Sequence, residues 1–219
     1  TIIGGEGGAD SDTIDLSNLS GPVTIVYDGT ESGTITDGTH TITFSEIEAL
    51  VLTNQNDSVD ASLDNDGLFG DAPGVNIDAG AGDDTITGGR GGDTIAGGTG
   101  NDSIDGGYGD DEIDGNAGDD TLFGGQGNDT IDGGEGADSI DSGLEADTVF
   151  GGAGNDTINA GDGNDDVFGG DGADPIAGEG GQDYLDGEGG NDSMSGEDGA
   201  DTVLGGDGRD TLFGDAGDD

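Results

Sequence analysis

From Ala79 to Phe213 the chain divides into fifteen consecutive nine-residue units without one insertion, and a sixteenth, partial unit (214–219) follows in phase. So short and strict a period leaves room for only one small structural element per unit. Such units bury apolar surface by stacking on their neighbours, not by surrounding a common core. Examples are Gly97-Gly-Thr-Gly-Asn-Asp-Ser-Ile-Asp105 and Gly124-Gly-Gln-Gly-Asn-Asp-Thr-Ile-Asp132. Position eight is aliphatic in every complete unit, from Ile86 through Met194 to Leu212, while positions seven and nine are mostly polar. That alternation predicts a three-residue strand whose middle side chain points inward. Position four is Gly except at Glu145, and positions one and two are mostly Gly, which suits a six-residue loop with tight backbone turns.

Position six does not vary. It is Asp84, Asp93, Asp102, Asp111, Asp120, Asp129, Asp138, Asp147, Asp156, Asp165, Asp174, Asp183, Asp192, Asp201, Asp210 and Asp219. Position five, next to it, holds Asp83, Gly92, Asn101, Ala137, Gln182 and Arg209 among others, so its side chain is not a required ligand. A merely solvated acidic face would not separate the two positions in this way. The formal charge of −50, with 52 acidic residues against two basic ones, repels nucleic acid and anionic lipid and draws cations. With 28% hydrophobic and 4% aromatic residues, burial alone cannot offset the entropy of ordering and the charge repulsion, so an external contribution to folding is expected. The chain has no Cys, and His40 is its one imidazole, which removes the usual zinc and copper ligands. Magnesium needs a tight octahedron and keeps its waters, whereas calcium accepts six to eight carboxylate and carbonyl oxygens in flexible geometry. Calcium is the best match by elimination.

These residues resemble the repeats of the RTX (repeats-in-toxin) family, whose unit is Gly-Gly-x-Gly-x-Asp-x-aliphatic-x. The resemblance covers about two thirds of the chain. It implies an all-β fold, a right-handed parallel β-roll (β-helix or solenoid) with two nonads per turn and calcium stacked along both edges. The metal ligands it implies are the sixteen position-six aspartates with backbone carbonyls such as those of Gly80, Gly82, Gly89, Gly91, Gly98, Gly100, Gly107, Gly109, Gly125, Gly127, Gly134, Gly136, Gly152, Gly154, Gly161, Gly163, Gly170, Gly172, Gly206 and Gly208. Carried onto this chain, Gly98, Gly100 and Asp102 would share an ion with Gly115, Ala117 and Asp120. On the other edge, Gly107, Gly109 and Asp111 would pair with Gly124, Gln126 and Asp129. Sixteen loops, each paired with the loop one turn on, make up to about 14 sites, and that many divalent ions would offset 28 of the 50 negative charges.

Several residues depart from the pattern. Glu145 stands where the loop favours Gly, and the two sites using that loop are expected to be impaired. Glu179, Glu188 and Glu197 replace Gly at position two, where their side chains are expected to be solvated, and Pro175 at position seven removes one ladder donor. Phe123, Phe150, Phe168 and Phe213 occupy position nine, facing outward, and Phe150 and Phe168 lie one turn apart on one face. They are either intermittent surface apolar residues or a surface for self-association.

Residues 1–78 keep fragments of the pattern, with Asp57 and Asp66 in the same phase as possible further ligands and 7–15 also in phase. Between them, 23–27, 33–36 and 39–44 read as strands separated by turns at Asp28-Gly29 and Asp37-Gly38. Two parts are therefore expected: a degenerate cap or set of solenoid strands over 1–78, and the calcium-binding β-roll over 79–219. The end in mid-repeat at Asp219 is expected of a fragment of a longer protein.

The resemblance further implies a calcium-binding module of a secreted, extracellular bacterial protein. Such a module is disordered in calcium-poor cytosol and folds outside, a switch that accompanies type I secretion in the family. Calcium ions are then the partners, with neither nucleic acid binding nor membrane insertion. An enzyme is not expected from this chain, because His40 is more readily a surface strand residue than a base and no catalytic motif is present. The alternatives are an extracellular structural or adhesive scaffold, or an appendage of a secreted enzyme or toxin whose catalytic domain lies outside this chain. An acidic, disordered mineral binder is disfavoured by the unbroken phase.

Overall fold

The computed structural model describes residues 2–3, 13–19, 21–29, 32–36, 41–45, 49–53, 55–60 and 74–218. Every regular element among them is a β-strand, and the strands stack as a parallel β-solenoid of about 8 turns. One sheet runs through Ser58–Asp60, Thr85–Arg90, Ser103–Tyr108, Thr121–Gln126 and Ser139–Leu144, and onward to Thr211–Phe213. The other runs through Thr13–Asp15, Ala49–Val51, Asn76–Asp78, Thr94–Thr99 and Glu112–Ala117, and onward to Thr202–Leu204. From Asn76 onward, partners within a sheet are eighteen residues apart, as in Ile104 beside Leu122 and Ile95 beside Ile113, so one turn of the array is two nonads, whereas Ser58 pairs with Thr85 and Thr13 with Ala49 across longer turns.

The core is the double row of position-eight side chains. Ile86, Ile95, Ile104, Ile113, Leu122, Ile131 and their successors to Met194 are buried between the sheets. From Thr85–Arg90 to Thr148–Ala153 the strands run to six residues rather than the three predicted, but their second inward position is Gly or, at Ser142, Ser, so the apolar interior is one side chain deep from each side. At the far end Val203 is half-buried and Leu212 exposed, because the stack supplies no further turn over them. Pro175 lies in Pro175–Ala177 and has no N–H for the turn below, but Ile176 still pairs there with Ile158 and Ala177 with Asn159, so the lost donor leaves the stack intact.

The parallel stacking reaches back to Thr13–Asp15, which pairs with Ala49–Val51, which in turn pairs with Asn76–Asp78. Inserted between these turns is an antiparallel meander of Thr24–Gly29, Ser32–Thr36 and Thr41–Ser45. The three strands fall where the β-branched alternation predicts them. The turn expected at Asp28-Gly29 does not, since both residues lie within the first strand, which carries a register shift between Tyr27 and Gly29. Asp37, Gly38, His40, Asp66 and Asp219 lie outside the described residues.

Candidate metal centre

Each nonad turns through its six-residue loop by way of a left-handed residue at position two. Gly98 there has φ 104° and Gly125 φ 112°, a region that costs an L-residue about 1–2 kcal/mol. Position one is Gly in every loop but those of Ala79, Ser142 and Ala160, for a different reason, close approach. A Cβ on Gly115 would stand 2.6 Å both from Asp120 Oδ2 in its own loop and from the Gly133 carbonyl oxygen one turn later. On Gly124 it would stand 2.5 Å from Asp129 Oδ2 and from the Ser142 carbonyl oxygen. The missing methyl thus marks where a carboxylate oxygen and the next turn's carbonyl converge.

The position-six aspartates form two continuous ladders, one along each edge. The backbone N–H of each donates to Oδ1 of the aspartate one turn later, as from Asp84 to Asp102 at 2.7 Å and from Asp93 to Asp111 at 2.7 Å. Their carbonyls accept the position-seven N–H of the next turn, as Asp102 O does from Thr121 at 2.9 Å. Every member from Asp84 to Asp201 is buried. In twelve of them (Asp84, Asp102, Asp111, Asp120, Asp129, Asp138, Asp147, Asp156, Asp165, Asp174, Asp183 and Asp192) the second oxygen, Oδ2, is buried with no hydrogen-bond donor. A buried carboxylate oxygen with no donor is costly unless a cation or proton meets it.

Protonation reflects that cost. Removal from water raises the carboxyl pKa of Asp84, Asp111, Asp147 and Asp156 to about 7, against the opposing pull of the N–H bond from the turn below, and neighbouring carboxylates add to the rise. For Asp120, Asp129 and Asp183 the same balance gives about 6. Asp102, Asp138, Asp165, Asp174 and Asp192 are raised by burial as well.

These donors suit a hard cation that takes carboxylate and carbonyl oxygens. The expected partners do meet in part: Asp102 Oδ2 and the Gly115 carbonyl oxygen of the next turn lie 2.5 and 3.0 Å from a Cβ placed on Gly97. On the other edge, Asp111 Oδ2 and the Gly124 carbonyl oxygen converge on Gly106 in the same way. The position-three carbonyls also have a structural role, since Ala117 O accepts from Gly100 N at 2.9 Å and Gln126 O from Gly109 N at 2.7 Å. A carbonyl has two lone pairs, so this leaves one free for a metal. No group of three or more His, Cys, Asp or Glu side chains is placed for a metal among the described residues, so any cation here draws on the backbone as well.

Glu145 adopts φ 76° within an unbroken ladder: Asp129 N donates to Asp147 Oδ1 and Asp147 N to Asp165 Oδ1, both at 2.8 Å. Its side chain folds back to accept from Gly127 N at 3.0 Å. A second ladder runs through position five, where Asp83 Oδ1 accepts from Asn101 N at 3.0 Å and Asn101 Oδ1 from Asp119 N at 3.1 Å. The sequence carries its signal, Asp or Asn in nine of the sixteen loops, but a search for metal ligands passes over it. Away from the edges, the Phe150 and Phe168 rings stack with centroids 5.2 Å apart and planes 11° from parallel, and Phe168 also meets Tyr184 at 5.8 Å.

The model of the RTX calcium-binding nonapeptide repeat matches in overlapping segments that together cover residues 76–219. No curated protein matches the chain. The strict nonad, the parallel roll of two nonads per turn and the buried aspartate ladders agree with that match, and the chain belongs to the RTX calcium-binding nonapeptide repeat family.

Proposed function

We propose that this chain is a calcium-gated folding module of a secreted bacterial protein, expanded where calcium is scarce and a β-roll in extracellular calcium. The observation that carries the reading is the row of twelve buried, donorless Oδ2 atoms in a chain of formal charge −50. When bound, calcium supplies the positive charge and the open coordination positions that those oxygens lack. The position-six aspartates would hold it with carbonyls of their own loop and of the loop one turn later, up to about fourteen ions in all. Asp66 and Asp219 belong to the same proposal by phase alone. The chain's own residues do the rest: Oδ1 fixes each carboxylate against the turn below, and position-one glycines let carbonyls approach it.

Affinities typical of extracellular modules, about 10⁻⁴–10⁻³ M, would leave the loops empty inside a cell and filled outside it. The repeats act as structure and not as a catalyst in this reading. Circular dichroism and small-angle scattering test it. A chain expanded in EGTA that gains β signal and compacts cooperatively with calcium supports it, and a fully compact β-roll in EGTA disproves it. Self-association through the Phe150 and Phe168 stack belongs to the same proposal, with calcium lowering the charge that opposes it. A Phe150→Ser, Phe168→Ser variant is then expected to lower the mass by light scattering in calcium, and an unchanged mass disposes of that part.

A further inference from the structure

The loop 52–57 has the phase of a repeat and none of its glycines: Leu52, Thr53, Asn54, Gln55, Asn56 and Asp57 fill positions one to six, and Ser58–Asp60 follows as the strand. Asp57 joins the first ladder, its N–H donating to Asp84 Oδ1, yet its own carboxylate is served differently from the others. Oδ1 accepts from Val23 N at 2.7 Å and from Thr53 Oγ1 at 3.0 Å, and Oδ2 accepts from Thr53 N at 2.7 Å. Protein donors thus meet both oxygens, including the one that is left donorless in the array. At position one stands Leu52, buried with the core, where the array has Gly or, at Ala79, Ser142 and Ala160, another small residue beside the carboxylate. Leu52, Thr53, Gln55, Asn56 and Asp57 all avoid positive φ.

Both ladders also begin on valine. Val23 N donates to Asp57 Oδ1 at the start of one, and Val75 N to Asp93 Oδ1 at 2.7 Å at the start of the other. Val23 and Val75 are buried and bring no carboxylate. Below Asp84, an apolar side chain and hydroxyl or amide donors therefore stand where the array has a small residue and a donorless oxygen, and below Asp93 a valine stands in the place of the aspartate.

We infer that the turns preceding Ala79 form a calcium-independent cap, that Asp57 is a structural acceptor and not a calcium ligand, and that the calcium-bound array is assembled onto this preformed end. The cap gives the first array turn a paired strand edge and fixed N–H donors before any ion is bound, which lowers the cost of nucleating a stack of weak repeats. The inference rests on the calcium reading of the array, and its test separates the two.

Hydrogen exchange of the whole chain, followed by mass spectrometry in EGTA and in calcium, reads them independently. Peptides covering 21–29 and 49–60 are expected to exchange at least about tenfold more slowly in EGTA than in denaturant, while those from 97–198 exchange at the denatured rate until calcium is added. Exchange of 21–29 and 49–60 at the denatured rate in EGTA overturns the cap. Protection of 97–198 in EGTA as well supports the cap and overturns calcium-driven folding of the array. A crossed pair of variants, scored by calcium stoichiometry in equilibrium dialysis, tests the role of Asp57. Asp57→Asn is expected to bind as many ions as the parent chain and to lose protection at 49–60 in EGTA. Asp102→Asn is expected to lose ions and keep that protection. A fall in stoichiometry for Asp57→Asn overturns the inference.

Discussion

The backbone N–H of Asp102 donates to Oδ1 of Asp120, one turn later, at 2.7 Å, while Oδ2 of Asp120 is buried without a donor. One carboxylate therefore has two separable parts, an Oδ1 that holds the turn below and an Oδ2 that is open to the proposed cation. Asp120→Asn keeps an oxygen for the N–H and removes the charge, so the roll is expected to persist in saturating calcium with weakened binding at the two sites that share Asp120. Asp120→Ala loses both and strands the Asp102 N–H, at a further cost of about 1–3 kcal/mol. Calcium titration with denaturant unfolding checks this, and equal effects of the two substitutions would contradict it.

Acidity is expected to replace calcium in part. The buried carboxyls of Asp84, Asp111, Asp147 and Asp156 titrate near 7 in the folded chain against 3.8 for an ordinary Asp. A raised folded pKa means that the metal-free roll binds protons more tightly than the unfolded chain does. Its contribution to stability is then complete below about 4 and lost as pH rises through about 6–7. In EGTA, β signal from the array is expected to grow as pH falls from 8 to 4. In calcium, apparent affinity is expected to weaken as pH falls below about 7, because protons compete for the same oxygens. A pH-independent circular dichroism spectrum in EGTA would contradict the first expectation.

Backbone strain is concentrated at replaced glycines. Glu188 has φ 61°, with Glu179 at 67° and Glu197 at 65°. Glu188→Gly relieves a left-handed L-residue and is expected to stabilise the calcium form by about 1 kcal/mol in denaturant titration. Glu145→Gly is expected to gain less, since it forfeits the bond from Gly127 N to the Glu145 carboxylate. A loss of stability in Glu188→Gly would show that its side chain makes an interaction worth more than the strain.

Close approach separates the glycines that resist replacement from those that do not, although three loops carry Ala79, Ser142 and Ala160 at position one. Gly124→Ala would drive a methyl to 2.5 Å from Asp129 Oδ2 and the Ser142 carbonyl, so a clear fall in calcium affinity and melting temperature is expected. At Gly180 the nearest atom is Asp162 Oδ1 at 3.1 Å, and Gly180→Ala is expected to be nearly silent. Equal tolerance at both positions would count against the convergence of oxygens at position one.

The array is legible in the sequence because each constraint recurs at a fixed phase: the inward aliphatic of position eight, the left-handed position two and the Asp of position six all leave periodic marks. What escapes the sequence depends on pairings between turns. Nothing in the one-dimensional order around Asn101 says that its Oδ1 meets Asp119 N eighteen residues on, nor does the order around Val23 say that its N–H serves Asp57. The turn expected at Asp28-Gly29 is displaced because a bulge carries both residues into the strand, so the Asp-Gly signal sits short of the chain reversal. Glu145 is the residue at which the sequence suggests a break in regularity, yet the aspartate ladder passes it intact, because a left-handed backbone and a side-chain bond to Gly127 accommodate it.

Crystals grown in calcium and measured at long wavelength, where calcium scatters anomalously, test the central claim most directly. The account predicts two columns of anomalous peaks, one per edge, each peak between position-six aspartates one turn apart, such as Asp102 and Asp120 or Asp111 and Asp129. Peaks confined to exposed carboxylates on the sheet faces, with the space between those aspartates bare, would contradict it.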